Sequence, residues 1–565
     1  MQHVGPIAGV AAQGRYVATA GYDNRVILWD AATHGALARA NHDHLANACA
    51  FSHDGTRLVS ASSDGTARVW SLPDLRLQAV LGGHGDDVDM ACFSPDDVLI
   101  ATCALDRLVR VFTAGGLPLQ VMAGHTGNVL SLAWIDARRF VTSSVDGTLR
   151  TWCAQTGACL SVADLGVRSD CVAAAGDGRL LAGDDAGRIA VIASDAAPAF
   201  VPGHAAGVKT LVRTGETLVS MGYDRALVVW DLAPGGMPVE RARTQLPADV
   251  WARTAAVCRD GRIATGTFGG RYALFDPASG RWDMAGVGAG AAINALAIHD
   301  GLVLTIGDAG TLHVDGEAAG GPGHLCNFIA TPHDHPLTGG HLGQLCDAIS
   351  GQVLHRHPSP LNCAVSFTRG NVPHLAVGTY TGEVLVFALP GPLPVPVRTL
   401  AVHTNAVKAL AVCGDLLMSV CANGTIAWHR LTDLTEERRV EHAHTRIGNG
   451  ACALGRAGFA SVGRDRMLRL WLPDRDVAIE TPHPNSVKCV AASPCGRWIA
   501  SGSYSGTVAL FDRATMAFLP LQRLGTAGIS ALGWSGRNGG FLAADYGGTI
   551  HDIALPQATA QRVAA

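Results

Sequence analysis

Residues 64–70 of this chain read Asp-Gly-Thr-Ala-Arg-Val-Trp, and residues 146–152 read Asp-Gly-Thr-Leu-Arg-Thr-Trp. Asp-Gly is a preferred turn dipeptide, and the alternation of apolar and polar residues after it has the period of a half-buried strand. Each segment therefore predicts a turn that leads into a short strand with an aromatic residue at its end. A third clear copy, residues 465–471, reads Asp-Arg-Met-Leu-Arg-Leu-Trp.

The same motif, in clear or degenerate form, recurs along almost the whole chain. Fourteen copies can be placed at a mean spacing of about 40 residues, and only the step from 315 to 348 is clearly short. A fixed period of this length is typical of propellers and other repeat architectures. The copies end at Trp29, Trp70, Phe112, Trp152, Ile192, Trp230, Phe275, Asp315, Ala348, Phe387, His429, Trp471, Phe511 and Ile553.

Each repeat unit is predicted to form four short strands. In the second unit these are Ala46–Phe51, residues 57–60, residues 67–70 and residues 77–81, separated by turns such as His53-Asp54-Gly55. A four-stranded sheet cannot bury both faces by itself, whereas sheets arranged radially around an axis bury the faces of their neighbours.

The repeat resembles that of the WD-repeat β-propeller family, and the resemblance covers nearly the whole chain. It implies an all-β fold of fourteen four-stranded blades. A single ring usually holds four to eight blades, so we expect two tandem seven-bladed WD-repeat β-propellers, residues 1–285 and 286–565. Residues 558–563 are expected to supply the last strand. Whether each ring closes on itself or exchanges a strand is left open.

The composition is that of a globular protein, with 48% hydrophobic and 16% charged residues. The net charge of −4 predicts neither nucleic acid nor a membrane surface as a partner. No stretch approaches the roughly 20 apolar residues that span a bilayer, and the amino terminus lacks a signal-peptide pattern. The 15 Cys residues are scattered without a CxxC pair, which favours reduced core thiols. We expect a cytoplasmic protein; its oligomeric state cannot be predicted.

His, Ser or Thr, and Asp recur together at one position of the repeat, for example His42, Ser60 and Asp64 beside Trp70. A single set of this kind suggests a hydrolase triad. Its repetition favours instead a buried structural network, in which Asp orients the His and the hydroxyl links it to the Trp indole. We therefore predict no catalytic residues. The other sets are His125, Thr142, Asp146 and Trp152; His204, Ser220, Asp224 and Trp230; and His444, Ser461, Asp465 and Trp471.

Scarce residue types are concentrated at two positions of the repeat. In the WD-repeat family these positions surround the mouth of the channel and commonly contact partners. Five of the seven Tyr residues precede the turn, and all three Lys residues follow the first apolar residue of the first strand. Tyr combines a large apolar face with a hydroxyl group, which suits recognition, although Tyr is also common at strand ends. The predicted ligand- or partner-binding residues are His341, Asn362, Tyr380, Lys408, Arg464, Lys488, Tyr504 and Tyr546 in the second ring, and Tyr22, Lys209, Tyr223 and Arg253 in the first.

Two functions follow from this pattern. The first is a non-enzymatic scaffold that binds protein partners at the rims of its rings. The alternative is an enzyme or accessory protein of bacterial small-molecule biosynthesis, with an acidic or heteroaromatic ligand or a metal at the second mouth. In outline the chain is similar to the WD-repeat proteins of some bacterial metabolite clusters, such as that for toxoflavin.

A histidine-rich stretch lies in the irregular ninth unit. His333 and His335 would point to the same side of an extended segment, and His341 follows closely. Three imidazoles are enough to bind a transition metal, so these residues are the candidate ligands. The spacing matches no standard metal motif, and solvated turn histidines are the alternative. No other cofactor is expected.

Overall fold

Every sheet of this protein is a small antiparallel sheet made of consecutive strands. The computed structural model describes residues 1–193, 197–288, 292–332, 335–391, 393–536 and 539–556. Within these ranges the chain forms fourteen sheets and no α-helix, and therefore no helix that is long and apolar enough to cross a membrane. We call each sheet a blade and its strands a to d. Tight turns join the strands; at Gly65 and Gly147, for instance, φ is +79°, a conformation that glycine adopts without strain.

Blades 1 to 7 come from the first half of the chain, and each has four strands. Their strands are, for blade 1, Ile7–Gln13, Tyr16–Gly21, Arg25–Asp30 and Ala36–Asn41; for blade 2, Ala46–Phe51, Arg57–Ser62, Ala67–Ser71 and Arg76–Leu81; for blade 3, Val88–Phe93, Leu99–Ala104, Val109–Thr113 and Pro118–Met122; for blade 4, Val129–Trp134, Arg139–Ser144, Thr148–Cys153 and Cys159–Asp164; for blade 5, Ser169–Ala174, Leu180–Asp184, Arg188–Ile192 and Ala199–Pro202; for blade 6, Val208–Thr214, Thr217–Gly222, Ala226–Asp231 and Val239–Gln245; for blade 7, Val250–Val257, Ile263–Thr267, Ala273–Asp276 and Arg281–Asp283.

Blades 8 to 14 come from the second half. Their strands are, for blade 8, Ile293–His299, Leu302–Gly307, Leu312–Val314 and Glu317–Gly320; for blade 9, Cys326–Ala330, Leu337–Gly340, Gln344–Asp347 and Val353–Arg356; for blade 10, Leu361–Arg369, Val372–Thr379, Glu383–Ala388 and Val395–Ala401; for blade 11, Val407–Cys413, Leu416–Cys421, Ile426–Arg430 and Glu436–Val440; for blade 12, Gly448–Ala453, Phe459–Gly463, Met467–Trp471 and Asp476–Glu480; for blade 13, Val487–Ala492, Trp498–Ser503, Thr507–Asp512, Ala517–Phe518 and Gln522–Arg523; for blade 14, Ile529–Trp534, Phe541–Asp545 and Ile550–Ile553.

The all-β prediction and the fourteen repeats are confirmed. Each predicted repeat end lies within one residue of the end of a strand c. Two blades depart from the expected four strands. In blade 13 the outer strand is split into two short pieces that both pair with strand c, and blade 14 has three described strands. Residues 558–563, which were expected to form its strand d, lie outside the described residues.

The hydrophobic core is a series of layers between neighbouring blades. One layer joins blades 1 and 2 through Ala20, Val26 and Trp70, and similar layers lie between the other neighbours. Strands a and b supply much of this buried surface, whereas strands d are mostly exposed. The repeat therefore folds as expected from its pattern, because no blade buries its faces without a neighbour.

Each ring closes because its first and last blades pack together. In the first ring, strand a of blade 1 packs against strands a and b of blade 7, and Ile7, Trp29 and Tyr272 are buried between the two blades. In the second ring, strand a of blade 8 packs against strands a and b of blade 14, and Ser530 Oγ donates to the carbonyl of Ile293. All four strands of blade 1 come from one continuous segment, so the first ring closes without strand exchange.

The chain divides into two compact units, Met1–Gly290 and Ala291–Ala565. Each unit contains one of the rings. The sequence-based boundary lies slightly earlier, after residue 285. Val287 still forms a β-bridge with Gly270 of blade 7, and this pairing holds the segment after residue 285 against the first unit.

Candidate functional site

The recurring His, Ser or Thr, Asp and Trp residues form a buried hydrogen-bonded network in each of the four predicted blades. In blade 12, His444 Nδ1 lies 3.0 Å from Asp465, and His444 Nε2 lies 2.8 Å from Ser461 Oγ, which also accepts the Trp471 indole N–H at 2.9 Å. Ser461 is completely buried. The hydroxyl therefore links two side chains inside the blade. The matching sets in blades 2, 4 and 6 have the same geometry.

Blade 1 contains a fifth network of the same kind, which was not among the four predicted sets. His3 contacts Asp23 at 2.9 Å and Thr19 Oγ1 at 2.7 Å, and the Trp29 indole donates to the same hydroxyl. The signal is present in the sequence, because His3 precedes Asp23 by 20 residues, just as His204 precedes Asp224. Five complete networks occur among the described residues, and four of them lie in the first ring, so its blades keep the repeat motif more regularly.

The residue that directly follows strand b occupies the same place in nearly every blade. We call it the b-end position. In thirteen blades its amide donates to the carbonyl of the residue just before strand a; Tyr504 bonds Ser486 in this way, and Tyr546 bonds Gly528. The b-end side chain is thus held beside the entrance of strand a, on the face that carries the b–c turns. His341 occupies this position in blade 9.

The second residue of strand a, which we call the a-start position, is a β-bulge. In thirteen blades it is the one residue skipped in the pairing with strand b, and in blade 7 the irregular segment is longer and includes Trp251 and Arg253. A bulge turns a side chain away from the regular pleat. All three Lys residues lie at such bulges, namely Lys209, Lys408 and Lys488.

In the second ring most a-start side chains bond the next blade. Asn362 Nδ2 donates to the carbonyl of Val407 at 2.6 Å, so this candidate ligand residue also joins blades 10 and 11. Asn294, Asn327, Asn449 and Ser530 do the same for their own neighbours. The two a-start residues of this ring that do not follow the pattern are Lys408 and Lys488.

The cations at the mouth of the first ring have carboxylate partners. Lys209 Nζ lies 2.5 Å from Asp170, which also contacts Arg168 at 2.8 Å. Burial would raise the pKa of the Asp170 carboxyl, but the charges of Lys209 and Arg168 outweigh it and hold that pKa well below its usual value. Asp185 lies 3.8 Å from Arg168 on the other side. The repeat pattern predicts Lys209 but not these carboxylates, although Asp170 occupies an a-start position.

Arg253 forms a brace across the mouth of the first ring. Its guanidinium lies 3.2 Å from Asp89 of blade 3, although Arg253 belongs to blade 7. The rings of Tyr22 and Trp251 flank it, with centroids 5.7 and 5.6 Å from the guanidinium carbon. Burial would lower the pKa of Arg253, but the charges of Tyr22, Asp89 and Tyr223 raise it overall. The structure thus brings together the four residues predicted for this ring, in a set that neutralises its own charge.

The second mouth has a different charge arrangement. Lys408 Nζ lies 5.5 Å from the centroid of the Tyr380 ring, and within the described residues neither Lys408 nor Lys488 has a carboxylate within 4 Å. Burial lowers the pKa of Lys408 to about 8, and the nearby charge of Lys488 contributes to the shift. The two ammonium groups therefore act on each other, without the compensating acid that Lys209 has.

Three aromatic and basic side chains continue this surface. The rings of Tyr504 and Tyr546 lie nearly parallel, with centroids 6.2 Å apart, and the Arg464 guanidinium carbon lies 5.9 Å from the Tyr504 centroid. Burial would raise the pKa of Tyr504, but the charges of Lys488, Arg464 and Lys408 lower it overall. Tyr504 therefore lies in the field of all three cations. Six of the predicted residues form one continuous surface across blades 10 to 14, namely Tyr380, Lys408, Arg464, Lys488, Tyr504 and Tyr546.

The structure places the candidate metal ligands His335 and His341 in different environments. His335 is exposed in a bend, His341 is half-buried at its b-end position, and His333 lies outside the described residues. Among the residues that are described, no three His, Cys, Asp or Glu side chains are grouped as a metal site requires.

Replacing Asp308, the b-end residue of blade 8, with Asn is expected to change how stability depends on pH. Burial raises the pKa of this carboxyl to about 7, and the hydrogen bond from Asn294 offsets only part of that effect. The folded chain holds the proton more tightly than the unfolded chain, so the stability it contributes is complete below about pH 4 and is lost as the pH rises through 7. Calorimetry should show the Tm of Asp308→Asn rising relative to that of the wild type between about pH 5 and 8. A constant difference would contradict this role.

Comparison with known proteins agrees with the architecture. The family model "WD domain, G-beta repeat" matches residues 2–30, 38–71, 75–113, 116–153 and 476–512, which fall on blades 1 to 4 and on blade 13. A "probable cytosolic iron-sulfur protein assembly protein Ciao1" from Culex quinquefasciatus is 35% identical over 66 residues, 11% of this chain and 20% of that protein. A "probable cytosolic iron-sulfur protein assembly protein CIAO1 homolog" from Schistosoma japonicum is 39% identical over 57 residues, 9% of this chain and 16% of that protein.

These matched segments span about a fifth or less of the relatives' length. They are therefore similarities between repeat units. Five matched repeats, the recurring buried networks and fourteen small antiparallel sheets nevertheless point to one architecture. The chain contains WD repeats, and its fourteen described sheets have the arrangement of WD-repeat β-propellers.

Proposed function

We propose that this protein is an interaction scaffold and that the mouth of its second ring binds an acidic segment of a partner protein. The observation that carries the proposal is the state of Lys408 and Lys488. They occupy the position at which their neighbours in the ring bond the next blade, and no described carboxylate neutralises them. The matching residue of the first ring, Lys209, is neutralised by Asp170.

The chemistry of the surface suits a chain segment with several carboxylates. Two ammonium groups at half-buried positions donate charge-assisted hydrogen bonds, which are stronger than neutral ones. Tyr380, Tyr504 and Tyr546 add rigid aromatic surface, of the kind that is enriched where proteins bind one another. WD-repeat proteins generally bind protein partners, and the two relatives with matching segments are named as assembly proteins.

A defined acidic probe tests the charge requirement. Wild type should bind a fluorescent hexaglutamate peptide, and the double variant Lys408→Met/Lys488→Met should bind it about 100-fold more weakly, because two charge-assisted contacts worth roughly 1–2 kcal/mol each are lost. Fluorescence anisotropy at two salt concentrations measures the effect. Higher salt should weaken binding to the wild type more than to the variant.

A matched control removes the same charge from the other face of the same ring. Arg456 and Arg475 are exposed, and they lie in the a–b and c–d turns of blade 12, opposite the b–c turns. The variant Arg456→Met/Arg475→Met should bind hexaglutamate like the wild type. Equal binding by the wild type and the lysine double variant would show that the proposal is wrong.

The scaffold role itself requires a protein ligand. Proteins that the wild-type chain retains from an extract of its source cells should be released by hexaglutamate and should be absent from the lysine double variant. If retained proteins resist the peptide and bind the double variant equally well, the partner surface lies elsewhere.

A further inference from the structure

Asp308 is a buried carboxyl group with an unused oxygen. Asp308 is 3% exposed, and its Oδ1 accepts a hydrogen bond of 2.8 Å from Asn294 Nδ2. Oδ2 is fully buried and has no hydrogen-bond partner in the described part of the chain, where no Lys, Arg or His lies within 4 Å of the carboxyl group. A buried acid in this state is costly unless a donor or a cation joins it, so the unused oxygen requires an explanation.

The first ring provides a matched comparison. Asp185 occupies the same b-end position in blade 5, and it has Arg168 at 3.8 Å. In that ring the acids and bases of the mouth neutralise each other. In the second ring Asp308 and the pair Lys408 and Lys488 are kept apart instead, and burial together with Asn294 accounts for the shifted titration of Asp308 without a contribution from either lysine.

The stacked tyrosines lie between these opposite charges. Burial raises the pKa of Tyr546, and the charges of Tyr504, Cys489 and Asp308 add to this rise. Tyr504 instead lies in the field of the three cations, which outweigh its burial and lower its pKa. Asp308 belongs to blade 8, Tyr546 to blade 14, Tyr504 and Lys488 to blade 13, and Lys408 to blade 11, so the order along the mouth is acid, Tyr546, Tyr504 and lysines. The surface is therefore dipolar. Asp308 forms the first pole, which is acidic, Lys408 and Lys488 form the second, which is basic, and the two tyrosine rings lie between them.

We propose that the second mouth binds a dipolar peptide segment, in which a basic side chain contacts Asp308 and acidic side chains contact Lys408 and Lys488. The inference rests on the proposed function and adds that the bound segment must carry a cation that contacts Asp308. An arginine fits the first pole best, because its guanidinium can donate to the unused Oδ2 and lie against the face of Tyr546. Its planar fork also matches a carboxylate group.

The test compares arginine with citrulline, which has nearly the same shape and no charge. Peptides with one arginine, zero to three glycines and four glutamates are measured at pH 8 against the same series with citrulline. At the best spacing the arginine peptide should bind wild type about 10-fold more tightly than the citrulline peptide. Asp308→Asn should abolish this preference, and the matched control Asp185→Asn should retain it.

The two proposals fail in different ways. If both peptide series bind through Lys408 and Lys488 and the arginine preference is absent at every spacing, the dipolar assignment is wrong and the acidic site stands. An arginine preference that persists in Asp308→Asn would also show that the dipolar assignment is wrong.

Arginine amide, which lacks the acidic half of the peptide, tests the first pole without the lysines. It should raise the Tm of the wild type and not that of Asp308→Asn. No shift in the wild type would overturn the inference, and tighter binding of free arginine than of any peptide would replace the peptide with a small zwitterion.

Discussion

Asparagine in place of Asp170 is expected to lower the free energy of unfolding of the first ring by about 3–5 kcal/mol. The Asp170 side chain is inaccessible to solvent and neutralises both Lys209 and Arg168. Its removal leaves two largely buried cations side by side, and an uncompensated buried charge is among the most costly single changes to a folded protein. Calorimetry of the full chain at pH 7 should show the melting transition of the first ring at a Tm lower by roughly 6 °C or more.

The control for this loss is a second carboxylate in the same network. The side chain of Asp185 contacts Arg168 at 3.8 Å but is 42% exposed, so solvent screens its charge. Asp185→Asn is expected to change stability by no more than about 0.5 kcal/mol. A loss of similar size in both variants would mean that burial of Asp170 has no special role, and the account of a self-neutralised first mouth would have to be abandoned.

The blades were predictable because their signals are local. A turn such as Asp64-Gly65, alternating residues and a terminal aromatic lie within one short segment, and strand c follows directly from them. Even the weak repeat at the start of the second ring was placed correctly, since its strand Leu312–Val314 ends one residue before the predicted position. The local motif is degenerate in that repeat, and the regular spacing of about 40 residues was enough to locate its strand c.

The residues of the two mouths were also predictable as positions, but their partners were not. Lys209 and Lys408 occupy the same place in the repeat, and only the neighbouring blade decides that one of them meets Asp170. The brace from Arg253 to Asp89 joins residues 164 positions apart. Such pairs depend on the diameter of the ring and on side-chain direction, neither of which a repeat pattern contains.

The β-bulge explains why position alone did not define a role. Asn362 was predicted to bind a ligand because it lies at the a-start position. In the structure the bulge turns its amide towards the carbonyl of Val407, 45 residues later in the chain. A bulge is an irregularity of pairing between two strands, so it leaves no mark in the alternation of apolar and polar residues within one of them.

Lys209→Met and Lys408→Met should therefore change the free energy of unfolding in opposite directions, although both replace the a-start lysine of a blade. Lys209→Met breaks the ion pair with buried Asp170 and is expected to destabilise the first ring by about 2–3 kcal/mol, with Arg168 limiting the loss. Lys408→Met removes a half-buried cation that has no acid partner and keeps a side chain of similar length. It is expected to stabilise the second ring by about 1–2 kcal/mol at pH 7.

The pH dependence separates this explanation from simple repacking. The pKa of Lys408 is lowered from 10.5 to about 8 in the folded chain, so the folded chain binds fewer protons than the unfolded chain between these values. The stability of the wild type should therefore rise as the pH increases from about 8 to 10.5, and the advantage of Lys408→Met should shrink over the same interval. Denaturant titrations at pH 7 and pH 10 measure both effects. An advantage that is the same at both pH values would assign the gain to better packing, and a loss of stability in Lys408→Met at pH 7 would show that the lysine already has a partner. A binding site for an acidic ligand requires such a cation, because the ligand's carboxylate then supplies the partner that the folded chain lacks.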